Sequence, residues 1–228
     1  MPKIIKKKTK PVKKEEPEFK DVVSRARKFR QWRMEYRIAA VAIPLILVAV
    51  AAVYIYTGSA GKRADKFQYE GYKLYHSINL IQPIPDSTRY EQALDNFKKA
   101  YSAKQSAFSL FYIASSLESM GRHDEALSAL SELNKKFPDN LRFAPLAFYK
   151  MAMISLKKGN PGEALKHLET LYNYKTASFK DLSLMESARI LDATGKADEA
   201  RKKYEALLSG FADSPFFEEA EAALKARG

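Results

Sequence analysis

Three different patterns of polar and apolar residues follow one another along the chain. Residues 1–37 alternate basic and small or apolar positions without a sustained period, and Pro11 and Pro17 interrupt the lysines at 6–8, 10, 13 and 14. From Ile38 to Gly61 there is no charged residue, and Ile38–Thr57 holds ten Ile, Leu or Val side chains with no polar face. Beyond residue 60 the apolar positions recur at three- and four-residue intervals in one run after another, the signature of amphipathic helices. Sustained period-two alternation bounded by turn residues does not occur, so strands are not expected.

The pattern predicts an all-α chain in three parts: a basic tail over 1–37 that is largely disordered, a transmembrane helix over 38–57, and a helical domain over 58–228. Twenty helical residues rise about 30 Å, the thickness of the hydrocarbon core. At roughly −0.3 to −0.6 kcal/mol for each Ile, Leu or Val, the segment gains about −3 to −6 kcal/mol toward insertion, with no charge opposing it. Pro44 near one end is tolerated there as a kink. Trp32 and Tyr36 on one flank and Tyr54 and Tyr56 on the other stand where interfacial aromatics collect. Arg30, Arg33 and Arg37, with Arg25, Arg27 and Lys28 before them, outnumber the Lys62, Arg63 and Lys66 that follow, which puts the N-terminus in the cytoplasm and the C-terminal part across the inner membrane, in the periplasm. A cleaved signal peptide is the competing reading, since Gly58, Ser59 and Ala60 offer small residues to a peptidase, but both the leading segment and the apolar stretch exceed usual signal lengths.

The long-period pattern is a repeat. Gly121-Arg-His-Asp-Glu-Ala126, Gly159-Asn-Pro-Gly-Glu-Ala164 and Gly195-Lys-Ala-Asp-Glu-Ala200 stand 38 and 36 residues apart, and a weaker copy lies at Tyr90-Glu91-Gln92-Ala93. Amphipathic runs precede each mark, at Phe108–Met120, Ala144–Lys157 and Leu182–Thr194, and others follow, so the unit is helix, turn, helix. The glycines are suited to left-handed helix ends, the alanines to close approach of two helices, and Asn160, Pro161 and Glu163 to an N-cap, a first-turn proline and a capping box. Ahead of these, Gly61–Leu80 reads as a long helix, Pro83 and Pro85 as a break, and Thr88-Arg-Tyr-Glu91 as a capping box for the next helix.

Charge and composition narrow the chemistry. Of the formal net charge of +12, residues 1–37 carry +9, from 14 Lys+Arg against 5 Asp+Glu, so the basic character belongs to the tail. Anionic lipid headgroups are its simplest partner. Phosphate contacts would equally permit RNA, but few aromatics are present to stack on bases, which argues against nucleic acid. Cysteine is absent, so there is neither a disulfide nor a thiolate site. No glycine-rich phosphate loop, Gly-x-Ser-x-Gly, His-Glu-x-x-His or calcium loop occurs, and His76, His123 and His167 lie far apart. The expectation is a non-enzyme without metal or cofactor.

The repeated unit resembles the tetratricopeptide repeat. With Ala126 on the repeat's second-helix alanine, Leu110, Ile113, Ala114 and Leu117 fall on first-helix core positions, Leu130 and Leu133 on the second helix, and Pro138 on the closing proline. Ala164 similarly aligns Phe148, Met151, Ala152, Leu168 and Leu171, with Ser155 and Thr176 as departures. Ala200 aligns Leu184, Ala188, Leu191, Tyr204 and Leu207, with Ser187 and Ala212 as departures. The resemblance implies a superhelix of about 3.5 hairpin repeats, the irregular first pair serving as a cap. It also implies a concave protein-binding groove lined by first helices, here Phe108, Phe111 and Ser115, then Leu146, Tyr149 and Met153, then Leu182, Met185 and Arg189. Aromatic and methionine side chains there suit extended apolar peptides, although several could simply pack against the next repeat.

The layout of short basic tail, one membrane helix and exported repeats, with Glu16-Pro-Glu-Phe19 before the arginine-rich stretch and an amphipathic helix from Ala64, is similar to the bacterial ancillary translocon subunit family that sits beside the SecYEG channel. That resemblance implies translocon subunits, periplasmic chaperones or exported clients as partners. An assembly factor for an envelope complex, in cell division, cytochrome maturation or secretion, is the alternative, with one dedicated partner. The insertion estimate gives a direct expectation: replacing Leu47 and Val48 together by arginine costs about 5–7 kcal/mol and moves the chain from the carbonate-resistant membrane fraction to the soluble fraction or to aggregates.

Overall fold

The structure, a computed structural model, describes residues 19–79 and 82–226. These form α-helices and their connections, with no strand among the described residues. Two compact units divide the chain, 1–57 and 58–228. In the first unit, α1 begins at Phe19 and runs on past its end to Tyr75. The tail therefore differs from the sequence expectation where it is described, because 19–37 is helical rather than disordered. After Pro17 no proline or glycine precedes the span, and Arg, Lys, Gln and Met are good helix formers. The lysine-rich part before residue 19 lies outside the described residues. An 18-residue apolar window of α1 has none of its residues buried in protein, and Ile43, Leu47, Val50 and Ile55 are each more than half exposed.

The second unit is a run of antiparallel hairpins. The last turns of α1 pair with α2 (Asp86–Ala103), α3 (Ala107–Ser119) with α4 (His123–Lys136), α5 (Phe143–Lys157) with α6 (Pro161–Tyr172), and α7 (Lys180–Ala193) with α8 (Ala197–Gly210). Each also packs on its neighbour in chain order. A single helix, α9 (Phe217–Lys225), follows α8, with Ala220 buried and its glutamates outward. Terminal units of such stacks need a polar outer face, which Glu218, Glu219 and Glu221 supply.

The hairpins form as their residue types dictate. Gly121, Gly159 and Gly195 have φ of 74°, 74° and 76°. Around the first, Arg122 N–H donates to the Leu117 carbonyl and Gly121 N–H to that of Glu118, both at 2.9 Å, and the same pair of bonds recurs at Asn160 and Gly159 and at Lys196 and Gly195. This double closure satisfies orphan carbonyls at the helix end, and the left-handed residue it requires carries no Cβ penalty when it is glycine. Ala126, Ala164 and Ala200 have no exposed surface. Leu130, Leu133, Leu168, Leu171 and Leu207 are likewise enclosed, and Ser155 and Ser187, the two first-helix departures from the repeat pattern, are buried with them.

Both capping-box expectations fail. Asn160 does occupy the N-cap of α6 with Pro161 following, but its side chain makes no capping bond, and Glu163 turns outward to Lys166 at 2.7 Å. Helix α2 starts at Asp86, two residues before Thr88, with Pro85 at its N-cap and no side-chain cap. The expected first helix also stops short, at Tyr75; Leu80 lies outside the described residues. The break is sealed instead by Arg89. Its side chain is buried, its Nη1 donates to the Leu74 carbonyl at 3.0 Å and to that of Tyr75, and its Nη2 meets Asp86 at 2.7 Å. A cation on the final carbonyls of α1 also opposes that helix's negative end. Close approach of α1 and α2 depends on Gly71, where a Cβ would stand 3.0 Å from the Phe97 ring.

Arg89→Met keeps the stem and removes these charged hydrogen bonds. At about 1–3 kcal/mol for leaving such partners unsatisfied, the variant is expected to lower the urea midpoint of the full-length protein in detergent, whereas Glu91→Gln on the exposed side of α2 leaves it unchanged.

Candidate protein-binding face

The first helices of successive hairpins, α3, α5 and α7, present the residues that the repeat register points to. Phe108 and Phe111 of α3 are half-buried and come together around Phe143 of α5, with ring centroids 5.8 and 5.4 Å away. Phe108 also lies 4.7 Å from Tyr112 and 6.4 Å from Tyr72. Tyr112, which sequence reasoning did not single out, is the hub. It stacks on Phe97 at 5.0 Å, meets Tyr72 and Tyr75 edge-on at 5.5 Å each, and sits within 3.3 Å of His76 Nε2. The only hint of this in the sequence was the density of Tyr and Phe over 67–75 and 108–112. Burial pushes the Tyr112 hydroxyl up to about 12, with neighbouring tyrosines adding to the effect, so it stays a protonated hydrogen-bonding group. His76 is held below its ordinary value by partial desolvation and by the Arg89 charge.

Farther along the face, Leu146, Tyr149, Met153 and Leu182 are half-buried, and they leave part of each side chain to solvent. Burial, then the Glu186 carboxylate, raises the Tyr149 hydroxyl. Ser115 and Met185 are placed differently. Met185 has no exposed surface and Ser115 is 2% exposed, with no partner for the Ser115 hydroxyl among the described residues. Both belong to the packed interior between first helices. Arg189 is tied into the end of the stack, at 2.7 Å from Glu186 on its own helix and 2.7 Å from Glu219 on α9, with Phe216 6.0 Å below its guanidinium. Of the nine positions, seven therefore remain partly exposed; with Arg189 engaged by its ion pairs, the other six form an aromatic end on α3 and an aliphatic and tyrosine end on α5 and α7.

One ion cluster borders the aromatic end. Glu118 of α3 accepts from Lys150 and from Lys157 of α5, each at 2.6 Å, and Lys150 Nζ lies 5.7 Å from the Phe111 ring centroid. One carboxylate shared by two ammonium groups leaves a net positive charge beside Phe111. In the first unit, Trp32, Tyr36, Tyr54 and Tyr56 are all at least 60% exposed, and Trp32 and Tyr36 meet edge-on at 5.1 Å. Arg30, Arg33 and Arg37 are exposed beside them. No group of three or more metal-ligating His, Cys, Asp or Glu side chains exists among the described residues.

Burial by itself would raise the Glu118 carboxyl, but the hydrogen bonds and charges of Lys150 and Lys157 outweigh it and hold it below its usual range. A carboxyl depressed in the folded state stabilises above its unfolded value, near 4.3, and that stability is lost as pH falls through the folded value. Urea midpoints measured between about pH 6 and pH 3 should therefore fall less steeply for Glu118→Gln than for the wild type.

The geometry agrees with comparisons to known proteins. The family model described as the tetratricopeptide repeat-like domain matches residues 30–223. Among solved structures, two crystal structures of MamA are similar: one at 18% identity and TM-score 0.51, covering 64% of this chain and 77% of that one, the other at 16% and 0.50, covering 65% and 73%. The TPR2AB domain of yeast Sti1 in its pHSP90 complex is more distant, at 17% identity and TM-score 0.44, covering 72% of this chain and 71% of that one. No curated protein matches. These likenesses concern the fold, and with the family match over most of its length, the chain belongs to the tetratricopeptide repeat-like domain family.

Proposed function

We propose that this protein is a non-enzymatic scaffold, tethered in the inner membrane by one helix, that binds other polypeptides on the first-helix face of its periplasmic repeats. Domains of this family are protein-binding scaffolds, and the observation that carries the reading is a packed helical stack with a partly open aromatic and aliphatic face on α3, α5 and α7, in a chain whose α1 contains an apolar window with no protein burying it. Phe108, Phe111, Leu146, Tyr149, Met153 and Leu182 are the side chains assigned to the ligand. Segments of exported or translocating chains, or the chaperones and translocon subunits that handle them, are the partners in this reading. Membrane confinement favours such capture, because tethering raises effective concentration to about millimolar for short linkers.

The basic flank supports lipid contact over a limited length. Arg30 precedes Ile38 by eight residues, about 12 Å of helix, so Arg33 and Arg37 lie within about one Debye length of the hydrocarbon edge and each contributes about 1 kcal/mol with anionic lipid, while Arg30 stands beyond it and contributes less. Positions nearer Phe19 stand farther along the same helix.

Two measurements test the proposal. Protease added to right-side-out spheroplasts should digest the repeats and spare the N-terminal flank; protection of the repeats overturns the orientation. Crosslinking in native membranes should recover translocon components, chaperones or exported chains with the wild type and several-fold less with Phe111→Glu, which places a charge on the aromatic end. Recovery unchanged by Phe111→Glu removes this face from the function.

A further inference from the structure

A second concavity lies away from the first-helix face. It is a cleft of about 510 Å³ between the ends of two successive second helices, α4 and α6, floored by α5. Phe148 and Tyr174 form its aromatic wall, with ring centroids 6.1 Å apart. The loops after α4 and α6, one repeat apart, are laced together at one end, where the Tyr174 hydroxyl donates to the Pro138 carbonyl at 2.7 Å and Lys175 pairs with Asp139. Lys175 Nζ also lies 5.9 Å from the Tyr174 ring centroid. This wall thus already holds one ammonium group by the combination of an aromatic face and a carboxylate, the combination that recognises organic cations.

The rest of the cleft repeats that chemistry without an occupant in the chain. Glu169 is exposed at its rim and has no ion pair among the described residues. Asn134 lines the opposite side. Its amide nitrogen reaches only the Met151 sulfur, at 3.8 Å, and its side-chain oxygen is shielded from solvent with no donor among the described residues. An enclosed carbonyl without a donor is uncommon, because the lost hydration is not recovered. The enclosed Asn134 oxygen is out of reach of a ligand, but the aromatic wall and the unpaired carboxylate together ask for a flat or extended group that is apolar along its stem and cationic at its end.

We propose that this cleft binds a cationic side chain of a partner polypeptide, an arginine or lysine whose stem lies on Phe148 and Tyr174 and whose charge meets Glu169. That the cation arrives on a polypeptide rests on the scaffold reading; the cation preference of the cleft does not. The site lies on the second-helix side, so a partner held by Phe108 and Phe111 leaves it free, and two polypeptides, or two parts of one, can be held at once.

The test uses full-length protein in lipid nanodiscs and ligand-observed NMR with two small probes, N-acetyl-L-arginine amide and its neutral isostere N-acetyl-L-citrulline amide. The arginine probe is expected to bind and the citrulline probe to bind more weakly. Glu169→Gln should weaken the arginine probe roughly two- to fivefold, the range of a solvent-exposed ion pair. Thr170→Arg, at the exposed rim, should abolish binding by filling the cleft with a tethered cation. Phe111→Glu should leave probe binding unchanged. Equal binding of the two probes, no binding of either, or undiminished binding to Thr170→Arg overturns the proposal. None of these bears on crosslinking through Phe111, so failure here and failure of the scaffold reading are separable.

Discussion

A pair of antiparallel helices buries one seam between them and leaves apolar residues on its outer sides, so a hairpin of this kind is stable only when another hairpin covers it. Everything in the second unit follows from that need. Ala126, Ala164 and Ala200 bring the two helices of a hairpin together, and Leu110, Leu168, Leu184 and their neighbours are enclosed only by the next helices in line. The interior is accordingly divided into clusters, one around α3 and α4, one around α5 and α6, one around α7 and α8. Such a core is segmented along the stack and thin across it, which leaves the first helices with side chains that pack on one side and remain open on the other.

The ends of the stack need separate solutions, and the chain uses opposite ones. At the N-terminal end the last turns of α1 join through aromatic contact, where Tyr72, Tyr75, Phe97, Phe108 and Tyr112 form one cluster and Arg89 caps the carbonyls at the break. At the other end α9 is short and acidic outside, held by Ala220 and by the pairing of Glu219 with Arg189. One end of the stack is thus aromatic and the other charged.

Ion pairs run between repeats as well as within helices. Lys150 and Lys157 reach Glu118, Lys158 reaches Asp124, and Lys175 reaches Asp139, each across 32 to 39 residues of sequence. Each exposed pair adds only about 0–1 kcal/mol. Their common spacing of about one repeat makes them markers of register between neighbouring hairpins, and the least exposed of them, at Glu118, adjoins the open aromatic face and sets its local charge.

The sequence alone determined what depends on residues close together in the chain. An apolar run without a polar face dictates a helix that water cannot solvate well, and a glycine four residues ahead of an acidic residue and five ahead of an alanine dictates the turn of a hairpin, so the helices, the repeat and the fold class were legible at once. Seven of the nine residues assigned to the face are partly exposed, because helical register fixes which side of a helix a residue occupies. Tertiary structure decided the rest. Thr88 and Glu163 sit at capping spacing, yet neither caps a helix: α2 begins earlier, at Asp86, and Glu163 pairs with Lys166, since alternatives for a helix end differ by about 1 kcal/mol and packing chooses among them. Met185 and Ser115 went inside, Arg189 went to α9, and Tyr112 became a hub, because how far a first helix is covered depends on the neighbour laid against it, and that neighbour lies a whole repeat away in the chain.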